Sequence, residues 1–178
     1  MAHLDPAVRV HAGFEAEFPG CSPSAAECML NLVRAGQAAL VRLTRVLAEF
    51  QLAPQPFNAL AILGGAEQPL TPHEVSDRLL VARSTLTGVL DVLERRGLIE
   101  RRPHPGHRSM VLVEITAAGR ELLAALLPRL HAEETRWWAW LPEEERQRLI
   151  ALLGRAFVAL TAPSVREDVT EGSGPAAE

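Results

Sequence analysis

Lysine and tyrosine are both absent from this 178-residue sequence, and aromatic residues make up only 4% of it. All 18 basic residues are therefore arginine, and with 22 carboxylates they leave a formal net charge of -4. This balance excludes a globally basic nucleic-acid-binding protein, but it leaves a local basic patch open. Apolar residues account for 48% of the chain, which is enough to bury a substantial core and is not typical of disorder.

Cysteine is scarce as well, since only Cys21 and Cys28 occur. Two cysteines are too few for a disulfide scaffold, and no histidine or cysteine cluster has the spacing of zinc ligands. No run approaches the roughly 18 apolar residues of a membrane span, and the N-terminus lacks the pattern of an export signal. We therefore expect a cytoplasmic protein without a metal.

Catalytic motifs are also missing. His73 and Glu74 begin like the helix of a zinc protease, but Asp77 stands where the second histidine ligand is required. No glycine-rich phosphate loop occurs. The sequence thus predicts no enzyme, no catalytic residue and no cofactor.

Most of the chain has helical patterning. Asp5 before Pro6 predicts a short helix that ends at about Phe18. Ser24 and Glu27 form a capping box ahead of a long helix. Its apolar residues recur in steps of four and three, which predicts a partner helix along its length: Met29, Val33, Gly36, Leu40, Leu43, Leu47 and Phe50.

Three shorter helices are predicted next. A compact apolar helix around residues 57–63 ends at two glycines. Thr71 caps a helix from Pro72 to about Leu79, and another helix runs from about Arg83 to Arg96. Only about three residues separate these last two, a connection typical of helix-turn-helix units.

The rest of the chain predicts a hairpin and two helices. Two apolar runs flank the segment PHPGHRS, which indicates a β-hairpin whose loop is longer than two residues. Thr116 caps a long helix in which Pro128 should cause a kink or break. Pro142 and three glutamates start the last helix. Its apolar stripe is expected to be buried: Leu149, Leu152, Leu153, Ala156, Phe157 and Leu160.

The order of helix, turn, helix and hairpin is the winged helix-turn-helix layout. The residues in it, LTPHEVSDRLLVARSTLTGVLDVLERRGLIERRPHPGHRSMVLVEITAAGRELL from Leu70 to Leu123, closely resemble the MarR family of bacterial transcription regulators. The resemblance implies a homodimer in which the N- and C-terminal helices interlock and each lobe presents a recognition helix and a wing. It also implies an operator-binding protein, often a repressor, that small phenolic or anionic ligands release.

We therefore predict a mostly α fold with a small β-hairpin wing, namely a winged helix-turn-helix domain with N- and C-terminal dimerisation helices. Residues 1–22 form an N-terminal extension with a short helix, and residues 23–50 and 116–162 form the helical dimerisation region. Residues 51–115 form the DNA-binding domain, and residues 163–178 are a flexible tail.

The charge distribution supports DNA contact. Residues 70–109 hold seven arginines and five carboxylates, whereas the remainder holds eleven and seventeen. The candidates for the major groove lie in the first turns of the recognition helix: Arg83, Ser84, Thr85 and Thr87. Phosphate contact is expected of Arg95, Arg101 and Arg102, with solvated surface charge as the alternative, and also of Arg96. In the wing, we expect contacts from His104, His107 and Arg108, with Arg108 in the minor groove.

Ligand sensing has weaker support in the sequence. The resemblance places the effector pocket between the dimer helices and the reading head, and its candidates are Arg34, Arg42, Phe57, Trp137 and Trp138. Each could instead be a core or interface residue. The peroxide-sensing branch of the family has a reactive cysteine near Cys28, but it pairs that cysteine with tyrosines, so we expect an inert buried thiol.

Two alternatives to a ligand-released regulator remain open. One is a redox-switched regulator that uses Cys28. The other is a protein-interaction module that keeps the fold without an operator.

Overall fold

The computed structural model describes residues 7–79 and 82–162, and all their side chains except those of residues 83 and 107–109. These ranges contain seven helices and a two-stranded antiparallel sheet, so the predicted, mostly α fold class with a hairpin is confirmed. None of the described helices is long and apolar enough to cross a bilayer. The elements are α1 (Phe14–Glu17), α2 (Pro23–Ala48), α3 (Pro54–Gly64), α4 (Pro72–Leu79), α5 (Arg83–Arg95), β1 (Ile99–His104), β2 (His107–Ile115), α6 (Ala117–Trp137) and α7 (Glu143–Thr161).

The chain divides between Glu133 and Glu134, inside α6, into two compact units. In the first unit, α3 lies at the centre and packs on α2, α4, α5 and β2. The largest fully buried side chains all lie in this unit: Leu47, Leu60, Val75, Leu86, Leu90, Leu93, Ile99, Val113 and Leu126. Burial of branched apolar side chains from seven elements therefore holds the helix-turn-helix and the hairpin together.

Helix α2 begins at a different cap from the predicted one. Ser22, not Ser24, accepts a hydrogen bond from the backbone N–H of Ala25, at 3.3 Å. Pro23 occupies the first helical position, which suits a residue without an N–H, so the cap is the residue before it. The carboxylate of Glu27 pairs instead with Arg9 at 2.8 Å and accepts from the N–H of Val10 at 3.1 Å.

The helix in the N-terminal extension is shorter than expected. Helix α1 has only four residues, and the predicted start at Asp5 and Pro6 lies outside the described residues. The segment before α1 is tied to α2, because Asn31 exchanges two hydrogen bonds with the backbone of Val8, at 2.8 and 2.9 Å. The predicted flexible tail, 163–178, also lies outside the described part.

The helix-turn-helix follows the sequence prediction closely. Helix α4 has the predicted bounds, and α5 ends at Arg95, with Arg96 as its cap and Gly97 at a φ of 68°. Residues 80 and 81 of the predicted turn lie outside the described residues.

The predicted long hairpin loop is wrong. His104 pairs with His107, so only Pro105 and Gly106 connect the strands. The register shifts between Pro103 and His104. Because of this irregularity, the polar residues that were predicted to form a loop lie within the paired strands. Leu70 adds an antiparallel bridge to Val113, with N–H to O distances of 3.0 and 2.7 Å, which joins the start of the helix-turn-helix to the wing.

Two expectations for the C-terminal helices are also corrected. Helix α6 begins after the predicted cap, Thr116, and continues through Pro128, so a break there is excluded, whereas a kink remains a prediction. Proline removes one helical hydrogen bond, and the residue whose carbonyl loses it, Ala124, is exposed to water. No residue of α7 is buried in this single chain, so the predicted buried stripe is instead exposed or half-exposed.

Candidate nucleic-acid interface

Helix α5 has two faces with different chemistry. Leu86, Val89, Leu90 and Leu93 are buried at spacings of three and four residues, which fixes the rotation of the helix on the core. On the opposite face Ser84, Thr85, Thr87 and Gly88 are exposed. The apolar stripe of α5 therefore turns the predicted hydroxyl-bearing residues outward, as reading a major groove requires.

The start of α5 has no side-chain cap. Ala82 occupies the cap position and offers no side-chain acceptor, so the first N–H groups of the helix have no capping partner there. The side chain of Arg83, the first helical residue, lies outside the described part. A helix N-terminus with uncapped N–H groups is compatible with an approaching phosphate.

Helix α4 is capped more strongly. The N–H of Thr71 donates to the Glu74 carboxylate at 2.7 Å, and the N–H of Glu74 donates back to the Thr71 hydroxyl at 3.3 Å. The Thr71 hydroxyl also donates to this carboxylate at 2.8 Å, and the bonds from the Thr71 N–H, first, and from its hydroxyl, second, lower the pKa of Glu74 below its usual value. The reciprocal capping box fixes the first helix of the helix-turn-helix pair.

Arg101 ties the wing to the recognition helix. Its guanidinium donates to Asp91 at 2.8 Å and also to Glu94, and both carboxylates lie on α5. The Arg101 side chain is only 26% exposed. In this arrangement Arg101 holds β1 against α5, and its phosphate contact remains a prediction.

The other predicted phosphate contacts are placed differently. Arg102 is exposed on β1 and forms ion pairs with Glu100, at 3.2 Å, and with Glu114. Arg95 is exposed in the last turn of α5. Both remain candidate phosphate contacts, and Arg102 would have to exchange a carboxylate for a phosphate.

The wing turn is only partly described. The ring nitrogen Nδ1 of His104 accepts a hydrogen bond from the N–H of Gly106 at 3.0 Å, so this histidine folds over its own turn. The side chains of His107 and Arg108 lie outside the described part, so their predicted DNA contacts remain predictions. Backbone pairing places both residues at the start of β2, next to the turn.

A cleft of about 480 Å³ lies beside the recognition helix. Its walls come from α4, α5 and the hairpin, and they include His73, Thr87, Asp91 and Arg101. Because Thr87 and Arg101 line it, a molecule in this cleft would touch both the reading face and the ion pair that holds the wing.

The predicted effector residues are divided between the two units. In the first unit, Phe57 is buried in the core, while Arg34 and Arg42 are exposed on α2. In the second unit, Trp137 is half-buried and Trp138 is 40% exposed. Cys28 and Cys21 are both exposed, so the expected burial of the Cys28 thiol is wrong for this single chain.

Three features of the interface were missed by sequence reasoning. They are the ion pair of Arg101 with Asp91 and Glu94, the Leu70 bridge, and a contact from Arg96 to the end of α2. All three join positions that no local period relates. For the ion pair of Arg101, the sequence offered one signal, namely a basic residue early in β1 and acidic residues late in α5.

Known proteins resemble this chain in sequence and in fold. Residues 50–108 match the MarR family profile. The regulator PecS of Dickeya dadantii (strain 3937) is 33% identical over 115 residues, which is 64% of this chain and 69% of PecS. PecS is described as an HTH-type transcriptional regulator.

Solved structures agree with this relationship. Sco5413, a MarR family transcriptional regulator from Streptomyces coelicolor, is 29% identical with a TM-score of 0.69, and the match covers 79% of this chain and 96% of Sco5413. The S. aureus MepR–DNA complex matches in fold, with 22% identity, a TM-score of 0.66, and coverage of 72% of this chain and 95% of MepR. The two-faced recognition helix, the paired wing and these matches together show that the chain belongs to the MarR family of transcriptional regulators.

Proposed function

We propose that this protein is a sequence-specific DNA-binding regulator that acts as a homodimer on a pseudo-palindromic operator. The observation that carries the proposal is helix α5, whose buried stripe turns Ser84, Thr85 and Thr87 outward beside the paired wing. Hydroxyl groups at these positions can meet base edges when the helix lies in a major groove. The related MepR has been solved in complex with DNA, which supports the same mode of action here.

Exposed apolar faces support the dimer. On α2 they include Met29, Leu30, Val33, Leu40 and Val41, which are 45% to 53% exposed, and on α7 they include Ile150, Leu152, Phe157, Val158 and Leu160. Apolar surface of this extent is rare on a soluble monomer and marks an interaction site. In the proposal, residues 23–50 and 116–162 bury these faces against a second copy, and residues 51–115 contact DNA.

Repression and a cytoplasmic location are further parts of the proposal. A dimer that occupies two half-sites about one helical turn, roughly 34 Å, apart covers DNA that the transcription machinery needs. We therefore assign the protein the role of a repressor rather than an enzyme, acting where bacterial DNA is found.

Effector release is the finer part of the proposal. An effector can dissociate DNA only if it binds the free protein more tightly than the DNA complex. The cleft beside α5 suits this role because a ligand there would touch Thr87 and Arg101 together. The related CouR from Rhodococcus jostii RHA1 has been solved with p-coumaroyl-CoA, which supports small-molecule control in this fold.

The decisive experiment is footprinting of the purified protein on genomic DNA, followed by titration of the protected duplex and a shuffled duplex. We expect the protected duplex to bind at least about a thousandfold more tightly at physiological salt. Equal, weak and strongly salt-dependent binding to both would instead favour the protein-interaction module without an operator.

Thr85→Val tests the reading face itself. The substitution preserves shape but removes the hydroxyl, so we expect altered preference among single-base operator variants, by about 1 kcal/mol at the contacted position. Thr44→Val is the matched control, because Thr44 is an exposed helical threonine on α2 whose hydroxyl bonds to the Leu40 carbonyl. Unchanged base preference in Thr85→Val would remove Thr85 from the reading face.

The redox alternative, which uses Cys28, makes a separate prediction. In that case, peroxide abolishes operator binding by the wild type, and Cys28→Ser prevents the loss. Identical peroxide responses of both proteins would exclude it.

A further inference from the structure

The end of α2 has an unusual backbone turn. Gln51 has a φ of 55°. No other described residue except glycine has a positive φ. L side chains adopt this left-handed region at an energetic cost. The N–H of Leu52 closes the turn on the Leu47 carbonyl at 3.0 Å, and the carbonyls of Phe50 and Gln51 extend beyond the last helical turn. Carbonyls at a helix end need donors from elsewhere.

Arg96 supplies donors to both carbonyls. One guanidinium nitrogen donates to the Gln51 oxygen at 2.6 Å, and the other donates to the Phe50 oxygen at 3.2 Å. The planar fork of arginine suits two neighbouring acceptors in a way that a single ammonium does not. The guanidinium thus holds the left-handed turn from outside α2.

Arg96 also lies at the junction between α5 and β1. It is the cap of α5, and Gly97 follows with a φ of 68°. The N–H of Leu98 then bonds to the Leu93 carbonyl at 3.0 Å, and β1 begins at the next residue. The side chain of Arg96 therefore joins the end of α2 to the point at which α5 turns into the wing.

The two helices that Arg96 joins have different principal neighbours. Helix α2 packs on α3, whereas α5 packs on α3, α4 and β1. The hydrogen bonds from Arg96 to the end of α2 restrict the tilt of α5 relative to α2. The separate packing of the two helices on α3 restricts this tilt less directly.

We propose that Arg96 is a positioning residue that sets the half-site spacing which the dimer reads. The inference rests on the proposed function, in which α2 joins two copies and α5 reads DNA. Since α2 forms part of the proposed dimer interface, the tilt of α5 on α2 contributes to the separation of the two α5 helices. Arg96 acts on DNA through this geometry, whereas its exposed neighbour Arg95 remains a candidate for direct phosphate contact.

The first test measures spacing preference. Wild-type protein selects duplexes from a random pool, and one base pair is then inserted or deleted between the half-sites, which shifts them by about 3.4 Å and about 34°. We expect the wild type to lose at least about tenfold in affinity, and Arg96→Met to lose less than about threefold. Arg95→Met, the matched control, should weaken binding to every duplex alike and keep the wild-type ratio.

The second test does not depend on DNA. Spin labels on Ala35→Cys in α2 and Thr85→Cys in α5, with Cys21→Ser and Cys28→Ser, report the distance between these helices within one chain. Dilution with unlabelled protein keeps pairs between chains rare. We expect a narrow distance distribution with Arg96 and a broad one in Arg96→Met, while circular dichroism shows equal helix content. Should Arg96→Met not fold, Arg96→Lys replaces it, because an ammonium lacks the planar fork.

The two tests separate the two proposals. If the wild type selects no sequence from the pool, the proposed function fails, and the label distances still decide the role of Arg96. An unchanged spacing ratio or an unchanged distance distribution in the Arg96 variant would overturn the inference while the function stands.

Discussion

Gly119 shows how closely the wing base and α6 approach each other. A Cβ at this position would overlap the carbonyl oxygen of Leu98 and would lie 2.6 Å from Cγ1 of Ile115. The same Leu98 carbonyl accepts the N–H of Thr116 at 3.1 Å, so it cannot move without loss of that bond. The glycine is required here by space and not by backbone conformation.

Gly119→Ala should therefore destabilise the protein by about 3 kcal/mol, the upper end of the cost of overpacking. Gly88→Ala is the matched control, because nothing lies within 4 Å of a Cβ at that helical position. Its free energy of unfolding should rise by about 0.5 to 1 kcal/mol, since alanine loses less backbone entropy in a helix. Denaturant unfolding measures both, and equal stabilities would contradict the close approach.

At the scale of single elements, capping chemistry was the most readable signal. Thr71 and Thr116 cap α4 and α6 as predicted, because a hydroxyl before a helical run has a local partner three residues later. The cap of α2 was assigned two residues too late because the box at Ser24 and Glu27 fits the same pattern. Glu27 has a long-range partner, Arg9, and no local rule reveals it.

The hairpin and the candidate site were predicted only in part from the sequence. The existence of two strands followed from their branched residues, but the register shift at Pro103 depends on pairing across the sheet. The hydroxyl face of α5 was readable because helical period and burial agree. The roles of Arg96 and Arg101 were not, because their acceptors lie on other elements, 45 and 10 positions away along the chain.

The α4 cap predicts a pH dependence of stability. The Thr71 N–H lowers the pKa of Glu74 in the folded state, so the ionised carboxylate stabilises the fold above its unfolded pKa. That stabilisation is lost as pH falls through the lower, folded pKa. Glu74→Gln should thus be less stable than wild type at pH 7, and the difference should shrink by pH 3.

Chemical unfolding at several pH values checks this expectation. The control is Glu67→Gln, which removes an exposed carboxylate from the loop before α4. A Glu74→Gln difference that stays constant from pH 7 to pH 3 would show that the carboxylate contributes nothing through its charge.

At the scale of the whole molecule, the exposed apolar faces predict an obligate dimer. Val33 and Leu40 on α2 are 49% and 51% exposed in the single chain. In a dimer, Val33→Glu with Leu40→Glu would place unpaired charges in the interface, so we expect a monomer by light scattering at micromolar concentration. Operator affinity should fall strongly because one copy reads only one half-site.

Ala35→Glu is the matched control, since it adds charge at an exposed position on the face of the same helix that is opposite Val33 and Leu40. It is expected to leave the mass and the operator affinity close to wild type. A monomeric mass of the wild-type protein, or a dimeric mass of the double variant, would contradict the proposed interface.

The ion pairs of Arg101 and Arg102 have a consequence for the ionic atmosphere of DNA. A phosphate contact releases counterions, so the logarithm of affinity falls against the logarithm of salt by roughly 0.9 per contact. If all seven arginines of residues 70–109 met phosphate in both copies, the slope would be roughly -13. Arg101 and Arg102 already have carboxylate partners, and Arg96 has carbonyl partners, so we expect a slope no steeper than roughly -7. Glu114→Gln, which removes one of the two carboxylates paired with Arg102, should steepen it, and a wild-type slope near -13 would mean that these pairs open on DNA. With a slope of roughly -7, a twofold rise in salt concentration weakens operator binding by roughly a hundredfold, whereas a slope of roughly -13 would weaken it by several thousandfold. The internal pairing of these arginines therefore moderates the response of operator occupancy to the salt concentration of the cell but does not abolish it.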